Sequence, residues 1–405
     1  MVANLGSVSA ILVSGDIAFK GAADEYQTAM TWLRELAAVA GCPVERVFVV
    51  PGNHDVDRAV IGRAPATRNA QAAIARAPVL RRERELRSQI MDADTGRALL
   101  APIAAYNEFA KLLNCQVFLP DRLFWRQDLA LDHGVTLRIH GLTSTLLSGA
   151  DGQDDTRDSL YLSPLQTVLD PADDVVNLVL CHHPPDWFMD QDDANDALRG
   201  RAAIQMFGHK HRQRIQRDPQ YVCFSAGAVN PDRQEPGWQP GYNLVKICLC
   251  GAGAERKLTV EAHLRQWQSN PDMFRAVVSP EGGDVFCHSI HFPAVVKDAN
   301  SAVSMDNSLP IVEADIHRGG AVAAEEEHAA DVEAAMGDAS TRNLVFRFWS
   351  LKTSEWREIA LRLGLITQAE MTVPEPERYG RALIRASERG LLEELAREIA
   401  QKETR

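Results

Sequence analysis

The chain lacks a disulfide framework, a long apolar run and an excess of positive charge. Its seven cysteines are scattered over 405 residues, are odd in number and include no Cys-x-x-Cys pair, which is typical of a reducing compartment. No run of about 18 apolar residues occurs, so no transmembrane helix is predicted. The net charge of −12 argues against wholesale coating of nucleic acid or a membrane surface, although a local basic groove remains compatible with it. The first twenty residues have no basic segment, so no signal peptide is predicted, and we expect a cytoplasmic protein that does not bind membranes.

Four short polar motifs are present, and each follows an apolar run of β-strand character. They are Gly15-Asp16, Gly52-Asn53-His54-Asp55, Cys181-His182-His183-Pro184 and Gly208-His209-Lys210-His211. Ligands of layered α/β folds collect at the carboxyl ends of the strands. Four such ends that carry Asp, Asn and His together predict a metal site, and with it a metal-dependent phosphoesterase.

The residue types in these motifs suit a pair of metal ions. Two ions roughly 3.5–4 Å apart give a phosphate ester both a strong nucleophile and cations for the developing charge. Asp16 is the candidate bridging carboxylate, and Asn53 offers an amide oxygen that adds no charge. His182, His209 and His211 offer imidazole nitrogens, which suit Zn, Fe, Mn or Ni.

Two further residues are candidates for the catalytic step. His54 directly follows a predicted ligand, so we expect it to protonate the leaving group or to hold the phosphoryl oxygens. Asp55 is predicted to orient His54. His183 competes with His182 for the ligand position, and the sequence favours His182.

The spacing of apolar residues predicts a mixed α/β domain over residues 1–296. Residues 8–55 predict a parallel βαβ unit with a helix over roughly 24–40. Other apolar runs predict strands at 117–119, 135–139, 175–180, 204–207, 221–224, 242–248 and 258–264. Residues 297–340 are polar, Ala-rich and acidic without periodicity, which predicts a linker.

Residues 58–115 predict a helical cap inserted beside the motifs. Between 58 and 97 the chain has nine arginines and four acidic residues, a local excess of positive charge. One interpretation is a wall that attracts an anionic substrate. The other is an ordinary solvated helix face, where Arg and Glu also alternate.

The four motifs resemble the calcineurin-like metallophosphoesterase superfamily. Its pattern is Asp-x-His, Gly-Asp, Gly-Asn-His-Asp/Glu, a His before Pro, and Gly-His-x-His. The resemblance covers about residues 8–265, and the first two motifs are most similar to the cyclic-nucleotide phosphodiesterase and DNA-repair nuclease branches. It implies a four-layer α/β/β/α sandwich with a dinuclear centre and His54 as the catalytic histidine.

The same resemblance implies a ligand set for each ion. One ion takes Asp16, Asn53, His182 and His209, and the other takes Asp16, His211 and the first-motif Asp and His. No Asp-x-His precedes Asp16 in this sequence, so two ligands and a core strand are missing. Either residues upstream of the given start carry them, or the chain holds one ion well and the other poorly. We therefore expect two divalent ions, or only one in this form.

Residues 341–405 predict a small all-α domain. Residues 356–365 resemble the Trp-x-x-Leu-Ala-x-x-Leu-Gly-Leu stretch of death-like domains, and residues 341–403 are similar to the effector-associated domains of bacterial conflict systems. That resemblance implies an adaptor that pairs with a like domain of another protein, whereas a Trp with a leucine stripe also suits a simple helical core.

Three functions follow from the sequence. The first is a hydrolase of a phosphomonoester or phosphodiester, recruited through residues 341–405. The second is a degenerate phosphoesterase that binds nucleotide or acts as a scaffold. The third is a nuclease, in which the Arg-rich segment 58–97 binds the backbone of a nucleic acid.

Overall fold

The computed structural model describes most of residues 6–293 and parts of the C-terminal region. The described residues are 6–120, 122–169, 172–231, 239–279, 282–293, 344, 347–348, 351, 353–367, 379, 382–383, 385–387 and 389–403. The chain divides into two compact units, Met1–Ala302 and Val303–Arg405. The predicted linker, residues 297–340, lies outside the described residues.

The first unit begins with a βαβ motif. Strand β1 (Ile11–Val13) pairs in parallel with β2 (Val47–Val49), and helix α1 (Ala23–Ala40) connects them, so the predicted helix and parallel pairing are confirmed. The helix packs an apolar face that recurs at helical spacing. This face consists of Tyr26, Met30, Leu33, Ala37 and Ala40. In the part of the chain that the structure describes, β1 pairs with β2 alone, and its three residues remain partly exposed.

A six-stranded sheet carries the later motifs. Its strands are β3 (Trp125–Ala130), β4 (Thr136–Gly141), β5 (Val175–Cys181), β6 (Ile204–Phe207), β7 (Arg214–Arg217) and β8 (Val222–Ser225). Their order is β3-β4-β5-β6-β8-β7, and β4, β5, β6 and β8 are parallel. The carboxyl ends of β5 and β6 therefore meet at one edge of the sheet, where residues 182 and 209 follow them.

A four-stranded antiparallel sheet completes the β structure. It consists of β9 (Gly241–Cys250), β10 (Lys257–Ser269), β11 (Asp272–Ala276) and β12 (Phe286–His291). Strand β10 pairs with β9 along one edge and with β11 and β12 along the other.

Helices fill the segments between the sheets' strands. The segment predicted as a cap contains α2 (Arg58–Arg63), α3 (Pro65–Arg76), α4 (Val79–Met91), α5 (Ala93–Leu100) and α6 (Ala104–Lys111), and α7 (Gln191–Arg199) connects β5 with β6.

The two faces of β5 belong to different cores. Leu178 and Leu180 pack in the inner core, which joins α1, α6, β1, β2 and the four-stranded sheet to the six-stranded sheet. Val179 and Cys181 pack in the outer core with α3, α4, α5 and α7. Because side chains alternate along a strand, one buried strand serves both cores. The resulting layers are helix, sheet, sheet and helix, as predicted for the four-layer α/β/β/α fold.

The prediction of a β-strand at residues 117–119 is wrong. Phe118 forms only an isolated bridge with Arg122. Pro120 follows directly and has no N–H to donate, so it cannot extend a ladder there.

The described residues of the second unit are mostly helical. Its described helices include α8 (Thr353–Arg362) and α9 (Leu392–Glu403). Ile359, Leu395 and Ile399 are fully buried in its core, and the ring centroids of Trp356 and Tyr379 lie 5.6 Å apart. None of the helices described in either unit has the length and apolar character needed to span a membrane.

Candidate metal centre

Three predicted ligands have left-handed backbone conformations. Asp16, His209 and His211 have φ angles of 55°, 65° and 49°, a region that residues other than glycine rarely adopt. Such strain persists only where the surrounding structure holds it in place, and it concentrates at functional sites. The strands thus end in sharp turns that aim these three side chains.

Glycines allow the turns to approach each other. A Cβ on Gly15 would lie 2.5 Å from Nδ1 of His182, and a Cβ on Gly52 would overlap Oδ1 of Asp16. A Cβ on Gly208 would lie 2.5 Å from the Ser14 carbonyl oxygen. The close contact of the loops after β1, β2, β5 and β6 therefore depends on glycine at these positions.

Four predicted ligands of one ion converge. Oδ1 of Asn53 lies 3.0 Å from Nε2 of His182 and 3.0 Å from Nδ1 of His209. Nε2 of His182 lies 3.3 Å from Nδ1 of His209 and 3.4 Å from Oδ2 of Asp16. Ligands at roughly 2.0–2.2 Å from an ion, at tetrahedral or octahedral angles, lie roughly 2.8–3.6 Å from one another. The spacing of these four atoms fits a single divalent ion.

The protonation of these atoms also fits a cation. Nδ1 of His182 lies 2.7 Å from the carbonyl oxygen of Ser14, which only accepts, so Nδ1 carries a proton; in the neutral ring Nε2 then carries a lone pair. The amide oxygen of Asn53 and the carboxylate of Asp16 accept as well. Three lone pairs face one another, an arrangement that a cation between them stabilises.

The electrostatics set the charge of each ligand. Burial acts to raise the pKa of Asp16, but the neighbouring His182 and His211 and the backbone N–H of His54 together hold that pKa below its usual range. Burial, and then the neighbouring His182, lower the pKa of His209 to about 3. The site therefore offers an ionised carboxylate and a neutral imidazole, the forms in which these groups bind metal.

His211 also approaches Asp16. Nε2 of His211 lies 4.0 Å from Oδ2 of Asp16, the same oxygen that lies 3.4 Å from Nε2 of His182. Of the ligand set that the resemblance implies for a second ion, the described residues supply Asp16 and His211.

His183 lies behind the converging ligands. Nitrogens of His182, His183 and His209 come within 4.8 Å of one another. Nδ1 of His183, however, lies 2.9 Å from Oγ of Ser144, and its Nε2 lies 3.6 Å from a carboxylate oxygen of Asp155. Its ring packs against both neighbouring imidazoles, with centroids 4.6 Å apart in each case. Of the two adjacent histidines, His182 supplies the nitrogen that contacts Asn53. His183 packs behind His182 in the interior.

His54 forms part of the wall of a cavity. Its Nδ1 lies 3.0 Å from the carbonyl oxygen of Phe19, and its backbone N–H donates to Oδ1 of Asp16 over 3.0 Å. The cavity has a volume of about 710 Å³ and is also lined by Asn53 and His209. The imidazole thus borders both the predicted ligands and the space open to a substrate.

Asp55 connects the loops after β1 and β2. It is fully buried and accepts hydrogen bonds from the N–H groups of Gly52 (2.8 Å) and Ala18 (2.9 Å) and from the Tyr26 hydroxyl (2.9 Å). Burial, and then the charge of Asp16, raise the pKa of Asp55 to about 6. These bonds fix the loop that contains His54 through its backbone, and the orienting role of Asp55 stays a prediction.

Four of the nine arginines between residues 58 and 97 bind groups within the cap. Arg58 lines the cavity and forms an ion pair with Asp154. Others bind neighbouring groups. Arg68 donates to the Ile61 carbonyl, Arg82 to the Ala77 carbonyl, Arg87 to Glu83 and Arg97 to Asp94. These contacts favour the interpretation as an ordinary helix face, with Arg58 as the exception.

Two family models match the chain. The model of calcineurin-like phosphoesterases matches residues 2–213, just over half of the chain. The model of the GTPase-associated adaptor domain matches residues 340–401. No curated protein matches the chain significantly.

Solved structures that are similar to part of this chain include the 2.05 Å crystal structure of a Staphylococcus aureus protein described as a 5′-nucleotidase, in complex with α-ketoglutarate. The alignment covers 70% of this chain, with 11% identity and a TM-score of 0.29. This chain spans 45% of that protein's length. The family assignment therefore stands on the sequence match.

The fold, the converging ligands and the family match agree. The chain belongs to the calcineurin-like phosphoesterase family, so the predicted family is confirmed. Its residues 340–401 are similar to the GTPase-associated adaptor domain, in agreement with the predicted adaptor-like module.

Proposed function

We propose that the protein is a metal-dependent hydrolase of a phosphomonoester or phosphodiester. The observation that carries the proposal is the convergence of acceptor atoms from Asp16, Asn53 and His182, joined by Nδ1 of His209, beside the cavity. Four segments distant in sequence supply these atoms, and a cation between them would account for the approach of the acceptors.

Each residue has a distinct role in this proposal. Asp16, Asn53, His182 and His209 hold one divalent ion of the Mn, Fe, Zn or Ni class, and Asp16 with His211 supplies part of a second site. Such ions, when bound, polarise the phosphoryl group and provide a nucleophile at neutral pH.

The remaining roles concern protons and position. His54 borders the cavity and donates a proton to the oxygen of the leaving group. Its Nδ1 is held by the Phe19 carbonyl, which leaves Nε2 for this transfer. Asp55 holds the loops that carry Asp16 and His54 at their mutual distance, and thereby acts through position.

A second candidate function is a phosphoesterase domain that binds nucleotide or acts as a scaffold without turnover. The observation in its favour is that the described residues supply only Asp16 and His211 of the second ligand set. Nucleic acid receives less support as a substrate. Four arginines of the cap bind groups within the cap instead of forming a basic surface; they are Arg68, Arg82, Arg87 and Arg97.

The adaptor domain gives the protein a partner in this proposal. Residues 340–401 recruit the phosphoesterase to a protein of a GTPase-associated system, through a like domain of that protein. The hydrolase would then act where the partner assembles.

Metal content and hydrolysis together test the proposal. Elemental analysis of the purified chain should find at least one divalent ion, and bis-nitrophenyl phosphate should release nitrophenol only with metal present. His54→Asn should abolish release while it leaves the metal bound, and Asp16→Ala should abolish both. His133→Asn is the matched control, because His133 is exposed and lies outside the cavity lining. One ion or none with no release would favour the nucleotide-binding alternative, and full activity of His54→Asn would remove His54 from the mechanism.

A further inference from the structure

An exposed aromatic ring stands beside the candidate catalytic histidine. Phe19 is 60% exposed, and it follows Asp16 by three residues in the loop after β1. Its ring stacks on the His54 imidazole with centroids 5.6 Å apart and an interplanar angle of 20°. Because Phe19 also lines the cavity, a ligand bound there would cover its apolar surface and gain from that burial.

The cavity is larger than a phosphoryl group requires. Its volume of about 710 Å³ lies within the roughly 300–1,000 Å³ of pockets that enclose drug-sized ligands. With the phosphorus placed at the predicted metal ligands, most of the space remains for the alcohol part of the ester. The shape of that space therefore selects the substrate.

The cavity wall combines an apolar face with charged groups. Phe19, Ala22, Val56 and Ala59 provide the apolar part. The charged side chains of the wall include Lys20, Asp57, Arg58 and Asp154. Nζ of Lys20 lies 5.9 Å from the centroid of the Phe19 ring.

This combination suits a planar ring with polar edges. Aromatic side chains bind nucleobases by stacking on their π-faces, whichever base is present, and a neighbouring cation adds to the attraction. Charged groups of both signs can then hydrogen-bond the edges of the ring or the hydroxyls of a sugar. An aliphatic phosphate ester would leave the exposed face of the Phe19 ring uncovered.

We propose that Phe19 is the stacking platform for a planar ring in the alcohol part of the substrate, which makes a nucleoside phosphate the substrate class. The reaction itself rests on the function proposed above, whereas the binding of the ring does not. The side chain of Phe19 thus determines specificity by contact with the substrate. The backbone carbonyl of Phe19 has a different role, because it binds Nδ1 of His54.

The test compares two esters that differ only by the ring. Adenosine 5′-monophosphate and ribose 5-phosphate share the phosphate and the sugar, and release of inorganic phosphate measures both. We expect a higher kcat/KM for the adenosine ester. Phe19→Leu should lower the ratio of the two kcat/KM values by at least about fivefold, because base stacking contributes on this scale. Phe19→Tyr should restore the ratio.

The matched control is Phe118→Leu, since Phe118 is 45% exposed but does not line the cavity. The control should leave the ratio unchanged. An equal fall of both kcat/KM values in Phe19→Leu would show an effect on His54 alone and would overturn the proposal. An unchanged ratio would overturn it as well.

Calorimetry separates the proposal from the reaction. Both esters are titrated into the full-length metal-loaded protein. Weaker binding of the adenosine ester alone to Phe19→Leu supports the platform even if neither ester is hydrolysed, in which case the proposed hydrolase fails. Hydrolysis of both esters with equal kcat/KM would uphold the hydrolase and reject the platform.

Discussion

The carbonyl oxygen of Ser14 accepts the Nδ1 proton of His182 across 2.7 Å, and this bond joins the end of β1 to the end of β5. It fixes which nitrogen of His182 carries the proton, and so which nitrogen faces Asn53. The tautomer of a ligand is thereby set by a backbone group, as is common for metal-binding histidines.

Replacement of His182 by alanine should remove the tightly bound ion. The variant loses Nε2 of His182, which is one of the four converging ligand atoms. His182 is also the ligand whose Nδ1 proton is held by the Ser14 carbonyl. Elemental analysis after gel filtration measures the loss. His140→Ala is the control, because His140 is also buried but bonds to Asn177 in the sheet. The control should lose stability and retain its metal; equal metal content in the two variants would exclude His182 as a ligand.

Tyr26→Phe should destabilise the fold by about 1–3 kcal/mol, because Asp55 loses one of its hydrogen bonds in a fully buried position. Chemical denaturation measures the free energy of unfolding. Tyr221→Phe serves as the control: its ring packs over the guanidinium of Arg199, which the substitution retains. We expect its unfolding free energy to change by less than about 0.5 kcal/mol, and a similar loss in both variants would argue against a special role for the Tyr26 hydroxyl.

Asp190 should make stability depend on pH. Burial, with the charges of Asp193 and Glu83, raises its pKa to about 6, so the folded protein holds this proton more tightly than the unfolded chain. Its contribution to stability is present below the usual carboxyl pKa of about 4 and is lost as the pH rises through about 6. Asp190→Asn should therefore be more stable than the parent above about pH 7 and no more stable near about pH 4.

Denaturation midpoints at the two pH values measure this difference. The control is Asp192→Asn, at an exposed position of α7, the helix that begins directly after Asp190. It should shift both midpoints alike. A parallel shift in Asp190→Asn would contradict the assignment.

Gly141→Ala should destabilise the inner core, because the new Cβ would overlap the Trp125 ring. That ring is buried, and its Nε1 donates to the Val49 carbonyl over 2.9 Å. Forcing it aside should cost about 1–3 kcal/mol. At Gly62, in α2, a Cβ meets no atom within 4 Å, so Gly62→Ala should be neutral or slightly stabilising. Thermal unfolding of both variants tests the contrast, and equal melting temperatures would refute it.

The sequence predicted the ligand residues of the site but not the contacts that hold them in place. The motifs after β1, β2, β5 and β6 could be placed at strand ends because apolar runs are local signals, and the structure brings Asp16, Asn53, His182 and His209 together there. The Tyr26–Asp55 bond, the contact of His183 with Ser144 and the stacking of Phe19 on His54 were not predicted. Each joins segments whose approach depends on the packing of whole layers, and no local periodicity encodes that approach.

Strand β5 links the two cores to the metal centre in a way that bears on how the sequence can change. Its residues alternate between the inner and outer cores up to Cys181, and His182 follows directly. Insertion or deletion of one residue between 175 and 181 would exchange the side chains of both cores and turn His182 away from Asn53. Changes of length in this strand should therefore occur only in steps of two.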